Sequence, residues 1–177
     1  DAGFHSLYLL IDGTDDRVVV RGFFSGDPTV STYNPLQRVE FTDGTVWDVA
    51  TLVARAMSGD RLDNVIDGTS AANVISGRGG NDILYGWGGD DQLHGGTGND
   101  TLNGGAGNDT FIGGAGNDTV VDGSGNNVYV FGRGDGRDVV ITTGDANPDR
   151  VNTLRFKAGI APGDIDIRHE WAGGNRN

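Results

Sequence analysis

The sequence contains no cysteine, a single lysine (Lys157) and only two glutamates among its 25 acidic residues. Disulfide bonds therefore cannot stabilise the fold. The formal net charge is −12, so the chain lacks the basic surface that a nucleic-acid partner needs, and we expect no nucleic-acid binding. No apolar run reaches the roughly eighteen residues of a transmembrane helix. These absences leave an acidic chain without a membrane span, and its acidity comes mainly from aspartate.

In place of these features, the sequence has 32 glycines and a nine-residue phrase that repeats without insertion. The clearest copies are GGTGNDTLN from Gly95, GGAGNDTFI from Gly104 and GGAGNDTVV from Gly113. Counting in nines in both directions gives eight copies between Gly59 and Val130. An unbroken period of this kind indicates a repeat architecture in which each copy is one structural unit.

We number the positions of the phrase 1 to 9, and each group of positions has its own chemistry. Positions 1 to 4 are rich in glycine, and position 5 is usually Asn or Asp. Position 6 always carries a side-chain oxygen, at Asn64, Asn73, Asp82, Asp91, Asp100, Asp109, Asp118 and Asn127. Position 8 is always apolar, at Ile66, Ile75, Leu84, Leu93, Leu102, Phe111, Val120 and Tyr129. Each phrase therefore predicts a turn followed by a very short strand with one inward side chain, and two phrases predict one coil of a right-handed parallel solenoid.

In such a solenoid, position-6 carboxylates two phrases apart stack on the same edge. Asp82 then lies beside Asp100, and Asp91 beside Asp109. Carboxylates and backbone carbonyls, with no nitrogen or sulfur, are the ligands of a hard cation. Calcium accepts a flexible cage of about six to eight oxygens, whereas magnesium requires a small octahedron and retains water. The stacked pairs therefore predict several calcium sites.

The phrase resembles the Gly-Gly-x-Gly-x-Asp-x-apolar-x nonapeptide of RTX (repeat-in-toxin) proteins, which form a calcium-binding parallel β-roll. The resemblance implies that one turn supplies the carbonyls of positions 2 and 4 with its position-6 carboxylate. The turn two phrases later supplies the carbonyls of positions 1 and 3 with its own carboxylate. Carried over to this sequence, three complete sets are Arg78, Gly80 and Asp82 with Gly95, Thr97 and Asp100; Trp87, Gly89 and Asp91 with Gly104, Ala106 and Asp109; and Gly96, Gly98 and Asp100 with Gly113, Ala115 and Asp118.

The same resemblance extends the expected ligand set toward both ends of the repeats. It adds Gly77, Gly79, Gly86, Gly88, Asn64, Asn73, Gly105, Gly107, Asp122, Ser124, Asn127, Gly114, Gly116, Asp135 and Asp138. Asn at position 6 offers an oxygen without a charge, so the outermost sites are expected to be weaker. Asp135 and Asp138 lie in the sequence that follows the repeats and are expected to close the last sites.

The overall expectation is an all-β fold: a right-handed parallel β-roll with β-rich flanking segments and one short capping helix. Residues 1–58 form an N-terminal flank of β-hairpins, 59–141 the roll and 142–177 a C-terminal flank of short strands, including Leu154–Phe156 and Ile165–Arg168. Apolar residues recur at helical spacing from Asp48 to Met57, with Asp48 as N-cap and Gly59 as stop. This helix is expected to cover the N-terminal end of the roll.

The two flanks resemble parts of the β-rich domain that accompanies RTX blocks in haemolysin-type proteins. The resemblance implies a monomeric segment of a larger secreted or cell-surface protein of a Gram-negative bacterium, with adjacent blocks of the same protein as partners. Its expected role is calcium-dependent folding that assists type I secretion, with no enzymatic activity of its own. Two alternatives stay open: an accessory domain of a secreted protease, lipase or epimerase, and a repeat module of an adhesin. A toxin is one possible parent protein.

Overall fold

A computed structural model of the chain describes residues 7–10, 17–21, 36–142 and 147–168. The described N-terminal part consists of two antiparallel hairpins and a helix. The first hairpin pairs β1 (Leu7–Leu10) with β2 (Arg17–Val20), and the second pairs β3 (Arg38–Glu40) with β4 (Val46–Asp48). Both were predicted from the sequence. The turn of the first hairpin, with its Asp-rich segment at residues 12–16, lies outside the described residues.

The repeats form a β-solenoid of two parallel five-stranded sheets. One sheet has the order β14-β12-β10-β8-β6, and the other has the order β13-β11-β9-β7-β5. The strands are β5 (Val65–Thr69), β6 (Val74–Gly79), β7 (Ile83–Trp87), β8 (Gln92–Thr97), β9 (Thr101–Asn103), β10 (Thr110–Ala115), β11 (Thr119–Val121), β12 (Val128–Phe131), β13 (Val139–Ile141) and β14 (Thr153–Phe156). Consecutive strands alternate between the sheets, so one coil contains two phrases, as predicted.

The strand register follows the phrase. Leu93 pairs with Ile75 on one side and with Phe111 on the other, so equivalent positions lie 18 residues apart. The spacing grows after the last phrase, where Val120 pairs with Val140 and Tyr129 with Leu154. The sheet therefore continues past residue 141 into the C-terminal flank.

The core of the roll is a column of position-8 side chains, to which each coil contributes two, one from each sheet. From Ile66 to Tyr129 these eight residues are between 0 and 8 % exposed. Phe111 and Tyr129 stack with their ring centroids 5.6 Å apart. A core with only two apolar side chains per coil of 18 residues buries little apolar surface per residue, so the core alone gives the roll limited cohesion.

Helix α1 (Val49–Ala56) closes the N-terminal end of this column. Its N-cap is Asp48, whose carboxylate accepts a hydrogen bond of 2.8 Å from the Thr51 amide. Met57 is the C-cap, so the helix ends two residues before the glycine predicted as its stop. The Met57 side chain is buried in the same cluster as the position-8 residues, which confirms the predicted capping role.

The C-terminal flank contains one predicted strand and lacks the other. β14 contains the predicted Leu154–Phe156 strand. The prediction of a strand at Ile165–Arg168 is wrong, because a short 3₁₀ turn at Pro162–Asp164 leads into irregular chain that pairs with no described strand. Ile167 there is 91 % exposed. No helix within the described residues is long and apolar enough to cross a membrane.

Candidate metal centre

The glycine-rich turns bring the backbones of successive coils into direct contact. Gly98 has a φ of +120°, and a Cβ there would lie 1.9 Å from the Gly80 carbonyl oxygen of the preceding coil. A side chain cannot fit at this distance, so residue 98 must be glycine. At position 2, Arg78 and Trp87 adopt the left-handed region with φ values of 74° and 70°. Their backbones therefore follow the same turn, and the Trp87 side chain is 57 % exposed.

One oxygen of each position-6 carboxylate binds the backbone of the preceding coil. The Asp82 amide donates to Oδ1 of Asp100 at 2.8 Å, and the Asp100 amide donates to Oδ1 of Asp118 at 2.8 Å. The Asp91 amide donates to Oδ1 of Asp109 at 3.0 Å on the other edge. The predicted stacking of these side chains is therefore present, and part of it is a ladder of hydrogen bonds that needs no metal.

The second oxygen of each of these carboxylates has no hydrogen-bond partner. Among the described residues, the buried side-chain oxygen and nitrogen atoms without a partner are the five Oδ2 atoms of Asp82, Asp91, Asp100, Asp109 and Asp118. Each of these side chains is at most 2 % exposed. A buried carboxylate oxygen with neither a donor nor a cation is costly, because burial removes its hydration without replacing it.

The Oδ2 atoms of Asp82, Asp91 and Asp100 each face a backbone carbonyl across a small space beside the position-1 glycine. A Cβ built on Gly95 would lie 2.3 Å from Oδ2 of Asp100 and 2.5 Å from the carbonyl oxygen of Gly113. The arrangement recurs at Gly77 and Gly86, each of which faces its own position-6 carboxylate and the next coil's position-1 carbonyl. Two oxygens that converge on one space, with no donor between them, fit a hard cation such as calcium.

Burial changes the acidity of the same carboxylates. It raises the pKa of Asp91 to about 7, and the negative charges of Asp109 and Asp90 add to the rise. Burial also raises the pKa of Asp118 to about 6, with a further contribution from neighbouring carboxylates that include Asp138. These buried carboxylates therefore require either protons or cations to become stable.

The predicted carbonyl ligands also lie between coils, where several of them accept backbone hydrogen bonds. The Ala106 amide donates to the Trp87 carbonyl at 2.9 Å, and the Gly98 amide donates to the Ala115 carbonyl at 2.8 Å. The structure thus brings together neighbouring turns as the ligand sets require. No three His, Cys, Asp or Glu side chains cluster within the described residues, so a metal ion here depends on backbone carbonyls. The exact ligand set stays a prediction.

The position-6 asparagines at the two ends are satisfied by protein groups. Oδ1 of Asn64 accepts from the Asp60 amide at 2.8 Å, and Oδ1 of Asn73 accepts from the Thr69 amide at 2.6 Å. At the other end, Oδ1 of Asn127 accepts from the Asp109 amide at 2.7 Å. Beyond the last phrase, Asp138 continues the column, because its Oδ1 accepts from the Asp118 amide at 3.1 Å.

A second ladder, at position 5, was missed by the sequence reasoning. The Asn99 amide donates to Oδ1 of Asn81 at 2.8 Å, and the Asn117 amide donates to Oδ1 of Asn99 at 2.7 Å. Asp90 and Asn108 make the same contact on the opposite edge. The signal was present in the recurring Asn or Asp at position 5, which we assigned to turn formation alone.

Comparison with known families agrees with this geometry. The model described as the RTX calcium-binding nonapeptide repeat (4 copies) matches residues 58–93, 88–120 and 103–140. The model described as the haemolysin-type calcium binding protein related domain matches residues 7–51, within the N-terminal flank. No curated protein matches the chain. The repeat block of this chain therefore belongs to the RTX calcium-binding nonapeptide repeats, and it is a calcium-binding module of the RTX type.

Proposed function

We propose that calcium binding drives the folding of this module, and that the module assists the secretion of a larger RTX protein and its folding outside the cell. The observation that carries the proposal is the set of five buried carboxylate oxygens without partners, three on one edge of the roll and two on the other. Each of them lies at a contact between successive coils, so a cation bound there joins one coil to the next.

The roll cannot compensate for these charges by itself. Leaving a carboxylate buried without a partner costs on the order of several kcal/mol, and the apolar core contains only two side chains per coil. Calcium supplies the missing positive charge, and the neighbouring carbonyl oxygens can coordinate it as well. Because the unfolded chain presents no formed site, the free energy of calcium binding becomes free energy of folding.

Such coupling suits a protein that crosses a membrane before it folds. Extracellular calcium modules work at roughly 10⁻⁴–10⁻³ M, far above the calcium concentration at which cytosolic sensors respond. We therefore propose that the chain stays unfolded inside a Gram-negative bacterium, leaves through a type I system and folds at the cell surface or beyond it. Its partners would be adjacent blocks of the same protein, and the module itself would be a non-catalytic monomer.

The test compares two neighbouring aspartates that differ in their second oxygen. Asp91→Asn removes one charge at position 6, and Asp90→Asn removes one charge at the exposed position 5. The two side chains are well matched, because each accepts a backbone amide at 2.7 Å from a residue 18 positions away. Of these two residues, only Asp91 has a buried Oδ2 without a hydrogen-bond partner.

We expect Asp91→Asn to raise the calcium concentration at half-folding by about threefold or more, because one ion loses one of its two expected carboxylate ligands. Asp90→Asn should leave that concentration within about 1.5-fold of the original. Circular dichroism during a calcium titration measures both values. Equal midpoints for the two variants, or a native chain already folded in chelator, would contradict the proposal.

A further inference from the structure

The last repeat departs from the others at position 1, where Asp122 replaces glycine. Its side chain is fully buried. Oδ2 of Asp122 accepts hydrogen bonds from the Arg150 guanidinium, from the Tyr129 hydroxyl at 2.7 Å and from Nδ2 of Asn152 at 3.0 Å. This carboxylate therefore has the cation and the donors that the carboxylates of the central repeats lack.

The same repeat has an amide where the central repeats have an unpartnered oxygen. Nδ2 of Asn127 donates to the backbone carbonyl of Asp122 at 3.0 Å. In the central repeats, the corresponding atom is Oδ2 of an aspartate, which lies beside the position-1 glycine of its own phrase and has no hydrogen-bond partner. Asn127 thus places a paired donor where the central repeats have an unpartnered oxygen, and a cation is no longer needed at this point.

A second cationic side chain neutralises the turn that follows the repeats. Nζ of Lys157 donates to both carboxylate oxygens of Asp135, at 2.7 and 3.0 Å. Oδ2 of Asp135 also accepts from the Gly132 amide at 2.7 Å. Lys157 is the only lysine of the chain, and it lies on the C-terminal flank directly after β14.

The Arg150–Asp122 pair differs most from the surface pairs, and the Lys157–Asp135 pair, with side chains 39 % and 10 % exposed, is intermediate. In the Arg150–Asp122 pair the side chains are 11 % and 0 % exposed, whereas in the Arg133–Asp164 pair they are 66 % and 42 % exposed. An exposed pair contributes little to stability, but a buried carboxylate that loses its cation is strongly destabilising. The buried pair therefore has a role that the exposed pair does not.

We propose that Arg150 and Lys157 are fixed cations that take the place of calcium in the last coil, so that this end of the roll closes without metal. The inference rests on the proposed calcium-dependent folding of the other coils. The groups around Asp122 and Asn127 do not fit a calcium ion, because a guanidinium and an amide already satisfy their oxygens. Calcium is then confined to the coils that contain the unpartnered aspartate oxygens, and the expected ligands Asp122, Ser124, Asn127 and Asp135 belong to a metal-independent cap.

The experiment removes the cation and, separately, the carboxylate that it neutralises. The variants are Arg150→Gln, Asp122→Asn and the double variant, with Arg133→Gln as the control for an exposed pair. Asp122→Asn keeps an acceptor for Tyr129. Two quantities are measured on the full chain: the number of calcium ions bound at saturation, by equilibrium dialysis and metal analysis, and the calcium concentration at half-folding.

We expect Arg150→Gln to bind one more calcium ion than the native chain, because the Asp122 carboxylate then lacks a cation and lies among other oxygens. Its half-folding concentration should rise by roughly threefold or more. The double variant should return to the native ion count, and Arg133→Gln should keep both native values. The ion count is informative because the loss of a merely structural contact would not change it.

A native ion count in Arg150→Gln would overturn the proposal, whether or not the half-folding concentration changes. If Arg150→Gln does not fold, the double variant decides: recovery of folding with the native ion count supports the proposal, and continued failure overturns it. None of these outcomes concerns the proposed function itself. That function fails only if the native chain folds without calcium or if Asp91→Asn and Asp90→Asn behave alike.

Discussion

At the scale of single residues, the two oxygens of each position-6 carboxylate have different roles. Oδ1 of Asp100 caps the amide of Asp82, and an asparagine oxygen could do the same, as Asn127 does for Asp109. Oδ2 is the atom that requires aspartate, because only a carboxylate offers a second oxygen to a cation. The choice between Asp and Asn at position 6 therefore distinguishes a coil contact that can bind a cation from one closed by protein groups.

The raised pKa values predict opposite effects of pH with and without calcium. The pKa of Asp91 in the folded chain is about 7, against an ordinary value of 3.8. Between about pH 4 and 7 the calcium-free folded state therefore binds more protons than the unfolded state, so its free energy of unfolding falls as pH rises. Calcium binding requires the same carboxylates without protons, so it strengthens as pH rises.

The measurement is a calcium titration at several pH values, followed by circular dichroism. Lowering the pH from about 7.5 to 5.5 should raise the calcium concentration at half-folding by more than about threefold. In excess chelator, the same change should increase residual β structure. A half-folding concentration that does not depend on pH in this window would contradict the assignment of Asp91 and Asp118 as buried calcium ligands.

At the scale of elements, the helix and the roll form one continuous core. Met57 is 3 % exposed and belongs to the column of position-8 side chains, although it precedes the first phrase. Its carbonyl accepts from the Ser76 amide at 3.0 Å, and the Gly59 amide donates back to the Ser76 carbonyl at 2.7 Å. The chain therefore enters the first coil directly from the helix, and the helix covers the column without a separate linker.

Truncation of this side chain should destabilise the whole roll. Met57→Ala is expected to lower the free energy of unfolding by about 2–5 kcal/mol at saturating calcium, because it leaves a cavity at the end of the core column. Urea denaturation at fixed calcium measures the change. Leu62→Ala is the matched control, because Leu62 is nearby, apolar and 68 % exposed, and it should have almost no effect. Similar losses in the two variants would contradict the capping role of the helix.

The turns on both edges of the roll are joined to the turns of neighbouring coils by two separate ladders of hydrogen bonds. The exposed position-5 ladder joins coils through side-chain oxygens and backbone amides, and the buried position-6 ladder does the same one residue later. Neither ladder needs a metal ion. In the folded roll, both ladders hold the edge in register, which keeps the carboxylate and the carbonyl close enough to share one ion.

At the scale of the whole molecule, the buried aspartates stacked along the two edges of the roll place negative charges close together. The chain carries a formal net charge of −12, and its buried aspartates lie one above another in successive coils. Like charges in a compact state repel one another and favour the expanded chain. We expect bound calcium ions to reverse this balance in the central coils, and Arg150 and Lys157 pair with carboxylates at the C-terminal end.

Removal of calcium should therefore expand the entire repeat block. In excess chelator at pH 7.5, small-angle scattering should show the radius of gyration increasing toward the roughly 45 Å expected for an unfolded chain of this length. Circular dichroism should show loss of β structure, and added calcium should restore both. Magnesium at the same concentration serves as the control and should not restore the fold, because it prefers a small octahedron with retained water. A compact chain in chelator would contradict the proposed coupling of metal binding and folding.

The sequence by itself determined the architecture of the roll. The nine-residue period, the apolar position 8, the stacked position-6 aspartates and the helix that begins after Asp48 are all local patterns, and each was predicted correctly because a strict repeat imposes the same geometry on every coil. Only the tertiary structure decided which carboxylate oxygens remain without partners and which receive a cation. The Arg150–Asp122 and Lys157–Asp135 pairs join residues 28 and 22 positions apart across a break in the repeat. The nine-residue period ends at Val130, before Arg150 and Lys157, so these contacts depend on how the C-terminal flank packs against the last coil.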